Sequence, residues 1–164
     1  MSTGVIAVPA APWDPDDAQV VADGWFPPVK LSTVRDSVRL GDGTISTERL
    51  TMAIEGAMLH AFRELAAWRT AKATAGVAQL AAVTTETLNG ANVAEKLWER
   101  IVTYFAAADL YAAYRDISAT DQGLDRAVEK DTSADEARRI ALGAVADLRS
   151  IGAEPVGRNR VRLI

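Results

Sequence analysis

The stretch EKLWERIVTYFAAADLYAAYRD, from Glu95 to Asp116, has the period of a helix and more apolar surface than one core contact can cover. Between Ile101 and Tyr114 its only charged side chain is Asp109. At 3.6 residues per turn, Leu97, Ile101, Tyr104, Phe105, Ala108, Tyr111 and Ala112 fall on one face, while Val102, Ala106, Leu110 and Ala113 form a second stripe roughly opposite. The first stripe predicts a place in the chain's own core. The second needs another neighbour, either a further helix of the same chain or an adjoining subunit. A membrane is excluded, since a span takes about 20 apolar residues and this run is shorter and flanked by charge.

Working outward, Asn92 with Glu95 resembles a capping box that launches this helix, and Asn89-Gly90 just before it is a turn signal. Upstream, a long helix is expected from Thr47, capped by Ser46, to Thr74, with Gly76 as its stop and Leu50, Ile54, Ala57, Met58, Ala61, Leu65 and Trp68 as its inner stripe. Before it, Ser32 reads as the N-cap of a short helix carrying Val34 and Val38, which Gly41 ends and a Gly41-Asp42-Gly43 turn follows. Downstream, after a polar stretch from Ser118 to Thr132, Ser133 with Glu136 reads as a capping box for a last helix reaching Ile151. Its inner stripe is Ala137, Ile140, Ala141, Ala144, Leu148 and Ile151.

The expected fold is therefore all-α: a small bundle of three long helices and one short N-terminal helix, with an extended arm and tail. Residues 1–24 form an acidic arm whose Pro, Ala, Gly and Asp content cannot supply a core, residues 25–153 the bundle, and residues 154–164 a basic extended tail. The length of 164 residues suits one packed domain. The net charge of −4 sits entirely in residues 1–29, which hold Asp14, Asp16, Asp17 and Asp23 and no Lys or Arg; the rest of the chain balances. The absence of cysteine excludes disulfides, thiolate zinc sites and a cysteine nucleophile. The N-terminus lacks a basic region ahead of its apolar run, which is broken by Pro9 and Pro12, so no secretory signal is expected.

Motifs that carry chemistry are sparse. His60, the single histidine, stands mid-helix with no second His or Cys to complete a metal site, and reads as a packing or surface residue. The run Asp14-Pro15-Asp16-Asp17 lacks the glycine and distal Glu of a calcium loop and reads as a solvated arm. No glycine-rich phosphate loop or nucleophile elbow is present, and no catalytic, cofactor-binding or metal residue is assigned. Tyr104, Tyr111 and Tyr114 read as core or interface anchors, and Asp109 as an acid paired with Arg63, Arg69 or a residue of another subunit. The tail alternates Arg158, Arg160 and Arg162 with Asn159, Val161 and Leu163. Such a strand can add to a partner's sheet edge, solubilise the chain, or touch phosphates; a pI near 5.0 and the lack of a basic recognition helix oppose specific nucleic-acid binding.

Leu110-Tyr111-Ala112-Ala113-Tyr114-Arg115 has the pattern L-Y-x-x-Y-R, preceded by Glu99-Arg100 and a small-residue run. Phe26-Pro27, Arg49-Leu50, Ala53-Ile54, Trp68-Arg69, Ala75-Gly76, Leu80-Ala81, Val83 and Gly90 precede it in order. Together they resemble the phage head completion proteins, the GPL family of contractile-tailed phages, over residues 25–164. The resemblance implies a structural virion protein, not an enzyme and without cofactors. It would assemble in the host cytoplasm and dock on the portal protein at the head-tail junction after DNA packaging. There it would stabilise the filled capsid and offer a platform to a tail-side connector or stopper protein.

Such adaptors form rings with neighbouring copies of themselves, and a ring subunit needs two complementary lateral faces. The second stripe accordingly places the subunit interface at Val102, Ala106, Asp109, Leu110, Ala113 and Tyr114. Portal docking falls to Arg158, Arg160, Val161, Arg162, Leu163 and Ile164. The core is expected at Leu50, Ile54, Met58, Leu65, Leu97, Ile101, Phe105, Tyr111, Ile140 and Leu148. DNA would pass through the ring's channel without being specifically recognised. The alternative is a small cytoplasmic helical regulator or adaptor, with nucleic-acid binding as its option.

Overall fold

The computed structural model describes residues 17–38, 45–117 and 124–152, and side chains within them except at 114–117 and 124–132. Along the chain run β1 (Gln19–Val20), β2 (Val29–Lys30), α1 (Leu31–Ser37), α2 (Thr47–Thr74), a 3-10 turn (Leu80–Val83), β3 (Thr87–Leu88), β4 (Ala91–Asn92), α3 (Val93–Ile117) and α4 (Leu124–Arg149). The Gly41–Gly43 turn expected after the short helix lies outside the described residues.

Three helices are long because their apolar faces are long, and both ends of α2 and the start of α3 follow the expected chemistry. The Ser46 hydroxyl accepts from the Arg49 amide at the start of α2. The Asn92 side-chain oxygen accepts from the Ala94 and Glu95 amides at the start of α3. The same Asn92 amide group donates to the Ala81 and Thr84 carbonyls, tying α3 to the 3-10 turn. Past the end of α2, Gly76 takes φ +87°, the left-handed conformation that closes a helix.

The fold is mainly helical, with the three long helices and one short helix expected, and among the described residues it adds two antiparallel two-stranded ribbons. In one, Gln19 pairs with Lys30 and Val20 with Val29. In the other, Leu88 pairs with Ala91 across Asn89 (φ 52°) and Gly90 (φ 74°). Two successive positive φ angles make the tight hairpin turn whose twist matches its strands, and Asn-Gly is the pair that tolerates it. The turn signal was readable, whereas strands of two residues are too short to leave a periodicity.

The end of the segment expected as an arm packs on the domain: Val20 is buried, Ala18 and Ala22 lie against the core, and the Ala18 carbonyl accepts from the Leu31 amide. The short helix starts at Leu31, ahead of Ser32, with no side-chain cap; burial of Leu31 and Val34 holds it instead. Arg35 clips it to the entry of α2 through the Ile45 carbonyl, at 2.6 Å.

The last helix begins at Leu124 rather than Ser133. Residues 124–132 are rich in Leu, Arg, Ala, Glu and Lys, all good helix formers, and they carry the helix past the expected cap. Ser133 therefore stands inside α4, and Glu136 pairs one turn on with Arg139, at 2.6 Å.

Within the core, Trp25 and Phe26 form a wedge between α2 and α3. Phe26 stacks on Trp98 at 4.2 Å and on Phe62 at 5.4 Å, and Trp25 meets Trp68 edge-on at 5.9 Å. Of the expected core residues, Leu50, Ile54, Met58, Leu65, Ile101, Phe105 and Leu148 are buried. Leu97 and Tyr111 pack half-buried against them, and Ile140 is half-buried.

Candidate interaction surface

α3 occupies the centre of the bundle. It runs antiparallel to α2, because Phe62 stacks on Trp98, His60 lies against Phe105, and Gly56 lies against Asp109. Its other side faces α4, with which it makes its most extensive packing. From Ile101 to Ala108 every side chain is buried except Tyr104, which is half-buried. A helix apolar all round belongs in a core, and the run Ala106-Ala107-Ala108, together with Ala137, Ala141 and Ala144 of α4 in the same cluster, lets backbones approach closely.

This corrects the placing of the subunit interface on the second stripe. Val102, Ala106 and Leu110 are buried within the chain and have no surface to offer a neighbour. Asp109 and Ala113 remain exposed. The Tyr114 side chain and the tail residues Arg158, Arg160, Val161, Arg162, Leu163 and Ile164 lie outside the described residues.

Polar side chains near the core are engaged in joining elements. Asp109 lies where α2, α3 and α4 meet, open to solvent on one side, and the partial desolvation of its carboxyl among the helices raises its pKa above the ordinary carboxylate value, against the opposing pull first of Arg138 and then of His60. Neither Arg63 nor Arg69 is its partner. Arg63 reaches Nδ1 of His60 at 3.3 Å, and Arg69 pairs with Asp23 at 2.6 Å while its guanidinium lies over Trp25 and Phe26. The segment after β1 is thereby tied to α2. Lys72 donates to the Ile151 carbonyl at 3.2 Å, and Arg149 to the Glu64 carbonyl, joining α2 to the end of α4.

A surface depression of about 390 Å³ runs between α1, the β3–β4 hairpin and α3, past Thr33, Leu88, Leu97, Lys96, Arg100 and Tyr104. Arg100 covers the Tyr104 ring at 5.0 Å, so one of the two basic groups there lies over an aromatic face. Among the described residues, no group of three or more His, Cys, Asp or Glu side chains is placed to hold a metal ion, and no helix is long and apolar enough to cross a membrane.

Open apolar surface is concentrated elsewhere. Met52 is 71% exposed and Leu59 64%, both on the outer side of α2, a position the sequence signals by setting them off the helix's inner stripe. Among the described residues, Val21, Leu88 and Leu142 are the other exposed large apolar side chains.

A central helix enclosed from Ile101 to Ala108, polar groups that brace helices together and apolar side chains left on an outer face define a mainly helical structural module. Residues 20–157 match the phage head completion protein (GPL) family, and the chain belongs to that family. A curated relative, the head completion/stabilization protein of Escherichia phage P2, is 33% identical over 144 residues, covering 88% of this chain and 82% of the relative. No solved structure matches the chain significantly. The family is one of structural head completion proteins, which makes the chain a virion component that works through contacts with other head or tail proteins.

Proposed function

We propose that the chain docks on the portal vertex once the head is filled with DNA, stabilises the packaged capsid there, and presents a platform for the tail-side connector. The observation that carries this reading is the family match itself, because residues 20–157 run from the second residue of β1 to beyond the end of α4. A bundle braced at both ends, by Arg35 to Ile45 and by Lys72 to Ile151, suits a part that must keep its shape under the pressure of packaged DNA.

In this reading copies are arranged around the portal, and each subunit meets its neighbours through two different faces. Those faces lie on the outer sides of the helices, since the interior stripe of α3 is occupied. The tail, residues 154–164, reaches the portal, with Val161 and Leu163 entering pockets and the alternate arginines meeting acidic groups. Mixing the purified chain with portal rings and imaging the product by electron microscopy tests this. Density for the chain on the portal is the expected result, and bare portals under assembly conditions would refute it.

A further inference from the structure

Along the outer side of α2, Glu48, Met52, Glu55, Leu59 and Arg63 follow one another at helical three- and four-residue spacing, and all five are exposed. The row has a symmetry of its own. Reversed about a point between Glu55 and Gly56, it maps Met52 onto Leu59 and Glu48 onto Arg63. We propose that this face is self-complementary: two copies of the chain pair through antiparallel α2 helices about a two-fold axis.

In that pairing each Met52 lies against the partner copy's Leu59, about 10 Å apart along each helix at a rise of 1.5 Å per residue. At either end Glu48 meets the other copy's Arg63, so two opposite-charge contacts flank two apolar ones. A contact in which the same patch serves both partners is isologous, and a row with an acid at one end and a base at the other is complementary in charge to its own copy only when antiparallel. Parallel pairing would set Glu48 on Glu48 and Arg63 on Arg63. One element opposes the arrangement: Glu55 sits beside the axis and approaches its own copy. A single helix pair is also smaller than the roughly 1,600 Å² of a stable complex, so the association is weak and concentration-dependent.

This inference does not rest on portal docking. A ring about one rotation axis is built of head-to-tail contacts, whereas this contact is two-fold and belongs to the free chain. The two are therefore tested apart.

Sedimentation of the full chain at low salt, from about 10 to about 500 micromolar, reads the association directly. The expected result is a monomer–dimer equilibrium. Glu48→Arg and Arg63→Glu each weaken it about tenfold, the double exchange restores it, and Leu59→Asp abolishes it. Glu55→Gln tightens it by removing the like-charge contact. All these positions are exposed, and circular dichroism checks that each variant keeps its helices. A wild-type chain that stays monomeric throughout that range, a dimer indifferent to Leu59→Asp, or a double exchange that fails to restore association would each overturn the proposal.

Discussion

The indole Nε1 of Trp98 donates to the carbonyl of Pro27 at 2.9 Å, joining two residues 71 positions apart. Through this bond, and the stacking of Phe26 on the same indole, the segment after β1 becomes part of the packing between α2 and α3. A second indole repeats the device: Trp25 Nε1 donates to the Val77 carbonyl at 3.0 Å, just beyond the end of α2.

Trp98→Phe keeps a stacking ring but removes the donor, leaving a half-buried carbonyl without its partner. It should cost about 1–3 kcal/mol in chemical denaturation. Trp98→Ala, which also opens a cavity in the core, should cost about 3–5 kcal/mol. A Trp98→Phe protein as stable as wild type would mean that the Pro27 contact contributes nothing.

Leu110→Ala distinguishes the two roles its stripe has been given. Buried between helices of its own chain, Leu110 should lose about 2–5 kcal/mol of stability in the isolated protein on truncation. Were it a subunit contact, the isolated chain would melt as before and only assembly would suffer.

Two glycines should respond to alanine with opposite signs. Gly143 stands in the interior of α4, where an added Cβ meets nothing within 4 Å, so Gly143→Ala should stabilise by about 1 kcal/mol through helix propensity. Gly76 holds φ +87°, which a side chain resists, and Gly76→Ala should destabilise by about 1–2 kcal/mol. Equal shifts in melting temperature for the two variants would contradict this.

Asp109 links stability to pH. Burial raises its pKa in the folded state, so the folded chain binds the proton more readily than the unfolded one. Its contribution is therefore fully present below the unfolded value near 3.8 and is lost as pH rises through the higher folded value. Asp109→Asn should be more stable than wild type near neutrality, with the gain vanishing once the pH falls below that range. Denaturation curves across pH that show the gain growing in acid would reverse the sign and the explanation with it.

Deleting Pro155–Ile164 should leave the circular dichroism and melting of the bundle unchanged while abolishing portal association. Unchanged portal binding by the truncated chain would remove the tail from the docking surface.

Much of this architecture was legible before any fold was known. The span of α2 and its Ser46 cap could be read because capping and helical periodicity are local, and the same is true of Asn92 at the head of α3. The ribbon from Gln19 to Lys30 could not, since strands of two residues leave no pattern. Nor could the early start of α4, because Ser133 and Glu136 satisfy a capping signature whether or not the preceding residues are helical. At the candidate surface, the placing of Met52 and Leu59 off the inner stripe was visible, but their exposure depended on which side of α2 the other elements cover.

The sequence by itself determined where the long helices run, which faces of them are apolar, and, through the ordered motifs ending in L-Y-x-x-Y-R, the family to which the chain belongs. Only the tertiary structure decided what covers Val102, Ala106 and Leu110. Periodicity states that a side chain needs burial, because water is excluded from apolar surface wherever the cover comes from. Whether that cover is α4 of the same chain or a neighbouring copy is a long-range matter, and here the small residues of α4 pack against α3 closely enough to fill the space.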